Sequence, residues 1–282
     1  ERKPLGFVAV AAGEGNAEIL RSLGVDVVVS GGQTMNPSTK DLLDAADQVN
    51  ADAVILLPNN SNIIMAAQSA AELCERPCAV VPTKSVPQAF AALFAVDQDA
   101  SLETNVEEMT AAYGDVRTGE VTTAIKDSHD AAGNPIAEGD VIGICDGSID
   151  AVGSSVPGVV MDLLAVMEAE DADTCTLLAG EDLSQDDFEA LIEAIEEAYA
   201  KTETPVVSNN SAHRWTPDVP MVVPEINPEH FQVIPFQRER LGTKKGFIAV
   251  KPNCSIQSYA PVLTAWKEFE PYEVVATTYQ AI

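Results

Sequence analysis

Cys254 stands where an apolar strand pattern, Gly246–Val250, is followed within four residues by a helical pattern. A cysteine at the start of a helix suits nucleophilic chemistry, because the backbone N–H groups there favour the thiolate form. A single cysteine in such a place is also often only structural. Taken alone, the residues leave both interpretations open.

A second set of polar residues follows two strand patterns in the N-terminal part of the chain. The stretch Gly31–Thr39 joins flexible glycines to hydroxyl and amide side chains at the predicted start of a helix, which is a natural anion site. Open parallel sheets bind ligands beyond the carboxyl ends of their strands, so the next loop should project to the same edge. Helix capping and loop hydrogen bonding would explain these residues equally well. The candidate ligand or partner residues are Gln33, Thr34, Asn36, Ser38, Asn59, Asn60 and Asn62.

The elements that must position these residues divide the chain into three predicted parts. Residues 1–95 alternate apolar strands with helical patterns, which predicts an α/β domain whose parallel sheet has helices on both faces. Residues 96–197 predict a second α/β subdomain that contains a β-meander and a strand at Thr174–Leu178. Prolines cluster from Pro205 onward, and residues 198–282 end in a predicted strand at Val274–Tyr279.

Net charge distinguishes the last of these parts from the first two. The 282 residues carry a formal net charge of -28, while residues 201–282 contain eight basic and eight acidic side chains. The whole negative charge therefore lies in residues 1–200, which argues against nucleic-acid binding and signals a boundary. The five scattered cysteines lack zinc-site spacing, and we expect them to be reduced. No apolar stretch is long enough for a membrane span and no signal peptide is recognisable, so we expect a cytoplasmic protein. The sequence leaves open whether the chain forms homo-oligomers.

Several segments of the acidic part resemble a known family. GFVAVAAGEG, LGVDVVVSGGQTMNPST, AVILLPNNSNIIMAAQSAAEL and NVEEMTAAYGDVRTGEVTTAIKD are similar to the C-terminal domain of the fatty acid kinase A subunit, in the dihydroxyacetone-kinase-like group. The resemblance covers residues 1 to about 195. It implies a DegV-like fold and a non-catalytic role in docking a DegV-like fatty-acid-binding protein during acyl phosphate formation. ATP and magnesium are bound by another domain of that family, so neither is expected here.

The same resemblance bears on the polar loop. In DegV-type proteins a threonine and a serine around a T-x-Q-P-S loop hold the acyl carboxylate. The corresponding stretch here is Thr34-Met35-Asn36-Pro37-Ser38, in which Asn36 stands in place of the glutamine.

The tail resembles a different family. SNNSAHRW, PEIN and KPNCSIQ are similar to an interior fragment of aspartate-semialdehyde dehydrogenase. The resemblance implies that Cys254 attacks the aldehyde, that Asn253 supports the oxyanion, that Gln257 orients substrate and that Arg214 binds phosphate. His213 and His230 do not match that family's catalytic base, and we interpret both as structural.

Together the two resemblances predict a chimera of two incomplete pieces. The NADP-binding loop and catalytic histidine of the dehydrogenase are not found in these residues. The chain also begins without Met and stops after a strand pattern, so we expect it to be a piece cut from something longer. We expect no bound cofactor, no metal and neither parent activity from this chain alone. The rival hypothesis is an NADP-dependent oxidoreductase whose acidic part is accidental.

Overall fold

The computed structural model describes residues 2–31, 36–130, 132–180 and 182–275. The chain separates into two compact units. The first comprises the residues up to Glu120 together with Cys145–Ser148, and the second comprises Val121–Ile144 and the residues from Ile149 onward.

The first unit is built on a parallel four-stranded sheet. Strands β1 (Lys3–Ala11), β2 (Val27–Ser30), β3 (Ala51–Leu57) and β4 (Cys78–Val80) lie in the order β2-β1-β3-β4. Helices α1 (Glu14–Ser22), α2 (Thr39–Gln48), α3 (Ile64–Leu73), α4 (Val86–Phe94) and α5 (Leu102–Tyr113) accompany the strands. The strand order reverses between β1 and β3, which makes their carboxyl ends the switch point of the sheet.

Each face of this sheet has its own core because side chains alternate along β1. Phe7, Ala9 and Ala11 enter one core, in which they meet α1, α4 and α5. Val8 and Val10 enter the other core with residues of α2 and α3. The predicted parallel sheet with helices on both faces is confirmed. The helical residues buried against the sheet are Leu20, Ala89, Ala92 and Met109 on the first face and Leu42, Ala45, Ala46, Ala67 and Ala70 on the second.

Short strands follow α5 in the chain, and most of their residues belong to the second unit. Strands β5 (Gly119–Thr123), β8 (Val141–Cys145) and β9 (Ser148–Gly153) form a sheet in the order β5-β8-β9, which agrees with the predicted meander. Asp146 and Gly147 both have positive φ, as a two-residue hairpin turn requires. Strands β6 (Ser128–His129) and β7 (Pro135–Ile136) form a small antiparallel pair. Helices α6 (Val156–Val166) and α7 (Gln185–Lys201) then share a core of Val160, Leu164, Leu191 and Ile195.

The rest of the second unit packs on the end of α7. Strands β10 (Pro205–Ser208) and β11 (Phe247–Val250) pair in parallel, with α8 (Ile234–Leu241) between them in sequence and α9 (Cys254–Ala265) after them. Ala200 at the end of α7 is fully buried with Val219, Ile248 and Val250. The 3-10 helices are Ala169–Asp171, Pro228–Val233 and Lys267–Phe269.

Two sequence-based expectations differ from the structure. Thr174–Leu178 is not a strand: it is mostly exposed and pairs with no strand among the described residues, so its backbone lacks the ladder that defines a strand. Residues 274 and 275 of the predicted last strand also pair with no strand among the described residues. Residues 276–279 lie outside the described part of the chain.

The predicted domain boundaries also fall elsewhere than the structural division. Residues 96–120 belong to the first unit, because Met109 of α5 is fully buried in its core. The boundary after residue 197 was expected to fall inside a helix; it lies inside α7, and the last turn of that helix shares a core with β11. A helix is not a usual place for a domain linker.

Gly6 in β1 offers a test of this packing. A Cβ at Gly6 would meet Val49 Cγ1 too closely, and would lie 2.9 Å from Asp26 Oδ2 and 3.0 Å from Ala51 Cβ. We predict that Gly6→Ala lowers the free energy of unfolding of the full chain by roughly 1–3 kcal/mol, the usual cost of overpacking, as measured by urea denaturation. Gly15→Ala, where a Cβ meets nothing within 4 Å, is the matched control and should leave stability unchanged or raised. Equal effects of both substitutions would contradict the packing of β1.

Candidate functional site

The carboxyl ends of β1 and β3 form the candidate site of the first unit. Asn59 is the second residue of the loop after β3. It has a left-handed backbone at φ 55°, a conformation that asparagine tolerates better than most residues. Its side-chain amide donates to the carbonyl of Val10 in β1 at 2.9 Å. Asn59 therefore joins the loop after β3 to the neighbouring strand at the switch point.

Thr83, in the loop after β4, completes this arrangement and was not selected from the sequence. Its hydroxyl donates to Asn59 Oδ1 at 2.6 Å and accepts from the Asn59 backbone N–H at 3.2 Å. Thr83 is fully buried. A polar residue after a predicted strand was the only signal in the sequence, and nothing local indicated its partner.

The start of α2 is filled by the chain's own groups. Ser38 is the N-cap, and its hydroxyl accepts from the backbone N–H of Asp41 while the Asp41 carboxylate accepts from the N–H of Ser38. Hydrogen bonds to the Asp41 carboxylate, first the one from the Ser38 side chain and then the one from its backbone, hold the pKa of Asp41 below its ordinary value. A carboxylate thus already occupies this helix N-terminus, as a capping box provides.

The remaining predicted residues of the loops are more accessible. Asn36 and Asn62 are exposed, and Asn60 is half-buried with its side-chain oxygen accepting from the Asn62 N–H at 2.9 Å. Gln33 and Thr34 lie outside the described residues. Of the predicted set, Asn59 and Ser38 are engaged in holding the fold, while Asn36, Asn60 and Asn62 face the surroundings.

In the second unit, β10 and β11 bring two loops to one edge. Ser208 pairs with Val250, and the N–H of Lys251 donates to the Ser208 carbonyl at 3.0 Å. The loop that contains Arg214 follows β10, and the loop that contains Cys254 follows β11. The sequence-predicted residues of the tail therefore belong to loops at the same edge of the strand pair.

The loop after β11 and the start of α9 contain Asn253, Cys254 and Gln257. Cys254 is exposed as the first residue of α9, and Asn253 is the N-cap, with its side-chain oxygen accepting from the Ser255 N–H at 2.8 Å. Because that oxygen caps the helix, the amide N–H groups of Asn253 are the donors that could meet an oxyanion. Gln257 is 3.5 Å from the ammonium of Lys251.

Arg214 is held close to its own loop. Its Nη2 donates to the Asn209 carbonyl at 3.2 Å, while its buried Nε has no hydrogen-bond partner among the described residues. No group of three or more His, Cys, Asp or Glu side chains in the described ranges is arranged to hold a metal ion. None of the described helices is both long and apolar enough to cross a membrane.

His213 forms a buried pair with Glu196 of α7. His213 Nε2 and Glu196 Oε2 lie 3.8 Å apart, which is too long for a hydrogen bond, and within the described ranges neither atom has such a partner. His213 Nδ1 lies 3.1 Å from the Thr216 hydroxyl, and His230 Nδ1 meets the backbone of Met221. Burial raises the pKa of Glu196 above its ordinary value, against the opposing hydrogen bond from Ser208.

The comparisons with known proteins bear on the first unit and part of the second. Residues 6–214 match the FakA-like C-terminal family, the C-terminal domains of proteins like the A subunit of fatty acid kinase. The chain belongs to this family. Protein YloV of Bacillus subtilis (strain 168) is 43% identical over 205 residues, covering 73% of this chain and 37% of that protein. An uncharacterized protein of Staphylococcus aureus (strain USA300) is 38% identical over 200 residues, covering 71% of this chain and 36% of its own length.

The chain spans little more than a third of the length of these curated relatives. A solved structure of a DegV family protein, Cg2579 from Corynebacterium glutamicum, is similar at a TM-score of 0.41 with 14% identity, covering 88% of this chain and 90% of that one. The family match extends past the boundary predicted after residue 197 and ends at 214. The dehydrogenase resemblance and the chimera are not supported by these comparisons and stay predictions.

Thr83 allows the Asn59 arrangement to be tested. We predict that Thr83→Val lowers the free energy of unfolding by about 1–3 kcal/mol, because it leaves the Asn59 backbone N–H and side-chain oxygen without their partner. Thr83→Ser keeps the hydroxyl and should lose much less. Urea denaturation of the full chain measures both, and a serine variant as unstable as the valine variant would show that the hydroxyl is not what matters.

Glu196 gives a pH-dependent prediction. Its folded pKa is raised, so its favourable contribution is complete below its unfolded pKa of about 4.3 and is lost as pH rises through the folded pKa. We predict that Glu196→Gln becomes progressively more stable relative to the unsubstituted chain as pH rises from about 4 toward 7. Subtracting unfolding free energies at each pH removes the contributions of other carboxylates. A difference that does not change with pH would contradict a raised pKa at this position.

Proposed function

We propose that this chain is the C-terminal region of the A subunit of a fatty acid kinase and that it docks a DegV-like fatty-acid-binding protein. Membership of the family over residues 6–214 is the observation that carries the proposal. The chain's role is to bind the partner, and the phosphoryl transfer belongs to the parts of the longer relatives that these residues do not span.

The proposed docking surface is the carboxyl edge of the first sheet, at the loops after β1, β2 and β3. Asn36 and Asn62 are exposed there and offer amide donors and acceptors, while Asn59 and Ser38 are engaged in shaping the loops. Amide side chains suit an interface that must also be soluble when it is empty. The net negative charge of residues 1–200 favours a partner that carries positive charge.

Calorimetric titration of the full chain with a fatty-acid-loaded DegV-like protein tests the docking. We predict binding that weakens at least several-fold in Asn62→Ala, whose exposed side chain is at the proposed surface. Gln48→Ala is the matched control: Gln48 is an exposed amide at the end of α2, directly before β3 begins and so at the opposite edge of the sheet. Equal binding by both variants would show that the docking surface does not include Asn62. The absence of binding by the unsubstituted chain would overturn the proposal.

The same mixture supplied with ATP and magnesium should give no acyl phosphate. The proposal assigns ATP and magnesium to another domain of the longer relatives, and it assigns NADP to none of these residues. Acyl phosphate formed by this chain and the DegV-like protein alone would show that the chain has its own phosphoryl-transfer site.

A second candidate concerns the tail, which we propose to be a nucleophile segment derived from an aspartate-semialdehyde dehydrogenase. The exposed position of Cys254 as the first residue of α9 is the observation that favours it. The N–H groups of the first helical turn favour a thiolate at that position.

Iodoacetamide labelling with peptide mapping tests this candidate. We predict that Cys254 is alkylated faster than Cys175, which precedes no helix within the same few residues and whose pKa is raised by burial of its thiol. Aldehyde with NADP and phosphate should yield no NADPH, because the chain lacks the family's nucleotide loop. Slower labelling of Cys254 than of Cys175 would count against the nucleophile, and NADPH production that Cys254→Ser abolishes would establish a working dehydrogenase instead.

A further inference from the structure

Cys74 and Cys78 lie at the two ends of the short connection between α3 and β4. Cys74 is the C-cap of α3 and Cys78 is the first residue of β4. Both are half-buried and pack against the same core under the sheet. Two thiols that share one core face and are separated by three residues are therefore close neighbours.

The connection between them is held in place by Arg76. Its Nη1 donates to the carbonyl of Ala51 at 3.0 Å and also to that of Val49, and its Nη2 donates to the carbonyl of Asp47 at 3.2 Å. These bonds fix the connection against the end of α2 and the start of β3. A hydrogen bond between the side chains of Cys74 and Cys78 places the two sulfur atoms in contact, and the bonds of Arg76 hold the connection between them.

The surroundings of Cys78 disfavour its thiolate form. Burial, followed by the charge of Cys74 and a hydrogen bond with it, raises the pKa of Cys78 to about 12. Cys78 is therefore protonated near neutral pH. Thiol–disulfide exchange passes through a mixed disulfide on one thiol, which a second thiol then resolves, and this environment suits Cys78 to the second step.

We propose that Cys74 and Cys78 form a reversible disulfide when a small-molecule disulfide acts as oxidant. The Cys74 thiolate attacks one sulfur of the oxidant, which forms a mixed disulfide and releases one small thiolate. Cys78 then loses its proton to solvent and attacks the Cys74 sulfur, which expels the second small thiolate. Two protein thiols are oxidised and one small disulfide is reduced to two small thiols.

The bridge would restrain one wall of an open pocket in the first unit. This pocket has a volume of about 470 Å³ and is lined by polar side chains that include Arg2, Asp47, Glu75 and Arg76. Glu75 and Arg76 lie between the two cysteines, so the bond would restrain the part of the wall that they form. Oxidation thus acts on a surface at the opposite edge of the sheet from the proposed docking surface.

Peptide mapping of the native full chain after treatment with excess oxidised glutathione tests the proposal. Trypsin does not cut before proline, so the Arg76–Pro77 bond survives and the peptide Asp41–Lys84 carries Cys74 and Cys78 and no other cysteine. We expect this peptide to lose the mass of two hydrogen atoms and to resist iodoacetamide until dithiothreitol is added. Cleavage after Glu75 should leave two pieces linked until reduction.

Single variants test the assigned roles. Cys78→Ser should retain one glutathione on Cys74, because nothing resolves the mixed disulfide, and Cys175→Ser should form the same bridge as the unsubstituted chain. Three results for the unsubstituted chain would overturn the proposal. The peptide takes up two alkyl groups after oxidation, the peptide keeps a bound glutathione, or a bridge forms to Cys145, Cys175 or Cys254. The measurement on the unsubstituted chain decides the question even if the Cys78 variant does not fold.

Discussion

In the first unit, successive side chains of β1 enter two different cores, and β1 itself lies between β2 and β3. A strand buried on both faces and paired on both edges can be neither shifted by one residue nor moved away from its neighbours without exposing apolar side chains to water. Helices on both faces depend on it for the surface against which they pack. The loops that leave its carboxyl end, and those of the adjacent strands, are therefore placed by β1.

The candidate docking edge follows from this constraint. Asn59 reaches from the end of β3 to the carbonyl of Val10 near the end of β1, and Thr83 from the loop after β4 completes the arrangement. Several predicted site residues thus work inside the fold, where they satisfy buried polar groups that would otherwise destabilise it. Only the exposed amides beside them are free of such a structural role, which is why the proposed surface is smaller than the polar motif in the sequence.

The sequence predicted those features that depend on local patterns. Apolar runs located the strands of the first unit, and the polar stretch that ends at Thr39 located the start of α2, which Ser38 caps. The strand expected at Thr174–Leu178 failed because a strand also needs a neighbour, which no local pattern supplies. The contact of Asn59 with Thr83, 24 residues away in the sequence, likewise depends on tertiary packing. The core that joins Ala200 to Ile248 was missed for the same reason, since a change of composition suggested a boundary there.

The central claim is that β1 organises the first unit, and amide hydrogen exchange of the full chain tests it most directly. The account predicts that the amides of Val8, Ala9 and Val10 are among the slowest to exchange in this unit, because only unfolding of the whole unit releases them. Amides of the edge strand β4 should exchange faster. Exchange of the β1 amides at the rate of those in β4, with the helices of either face still protected, would contradict the claim.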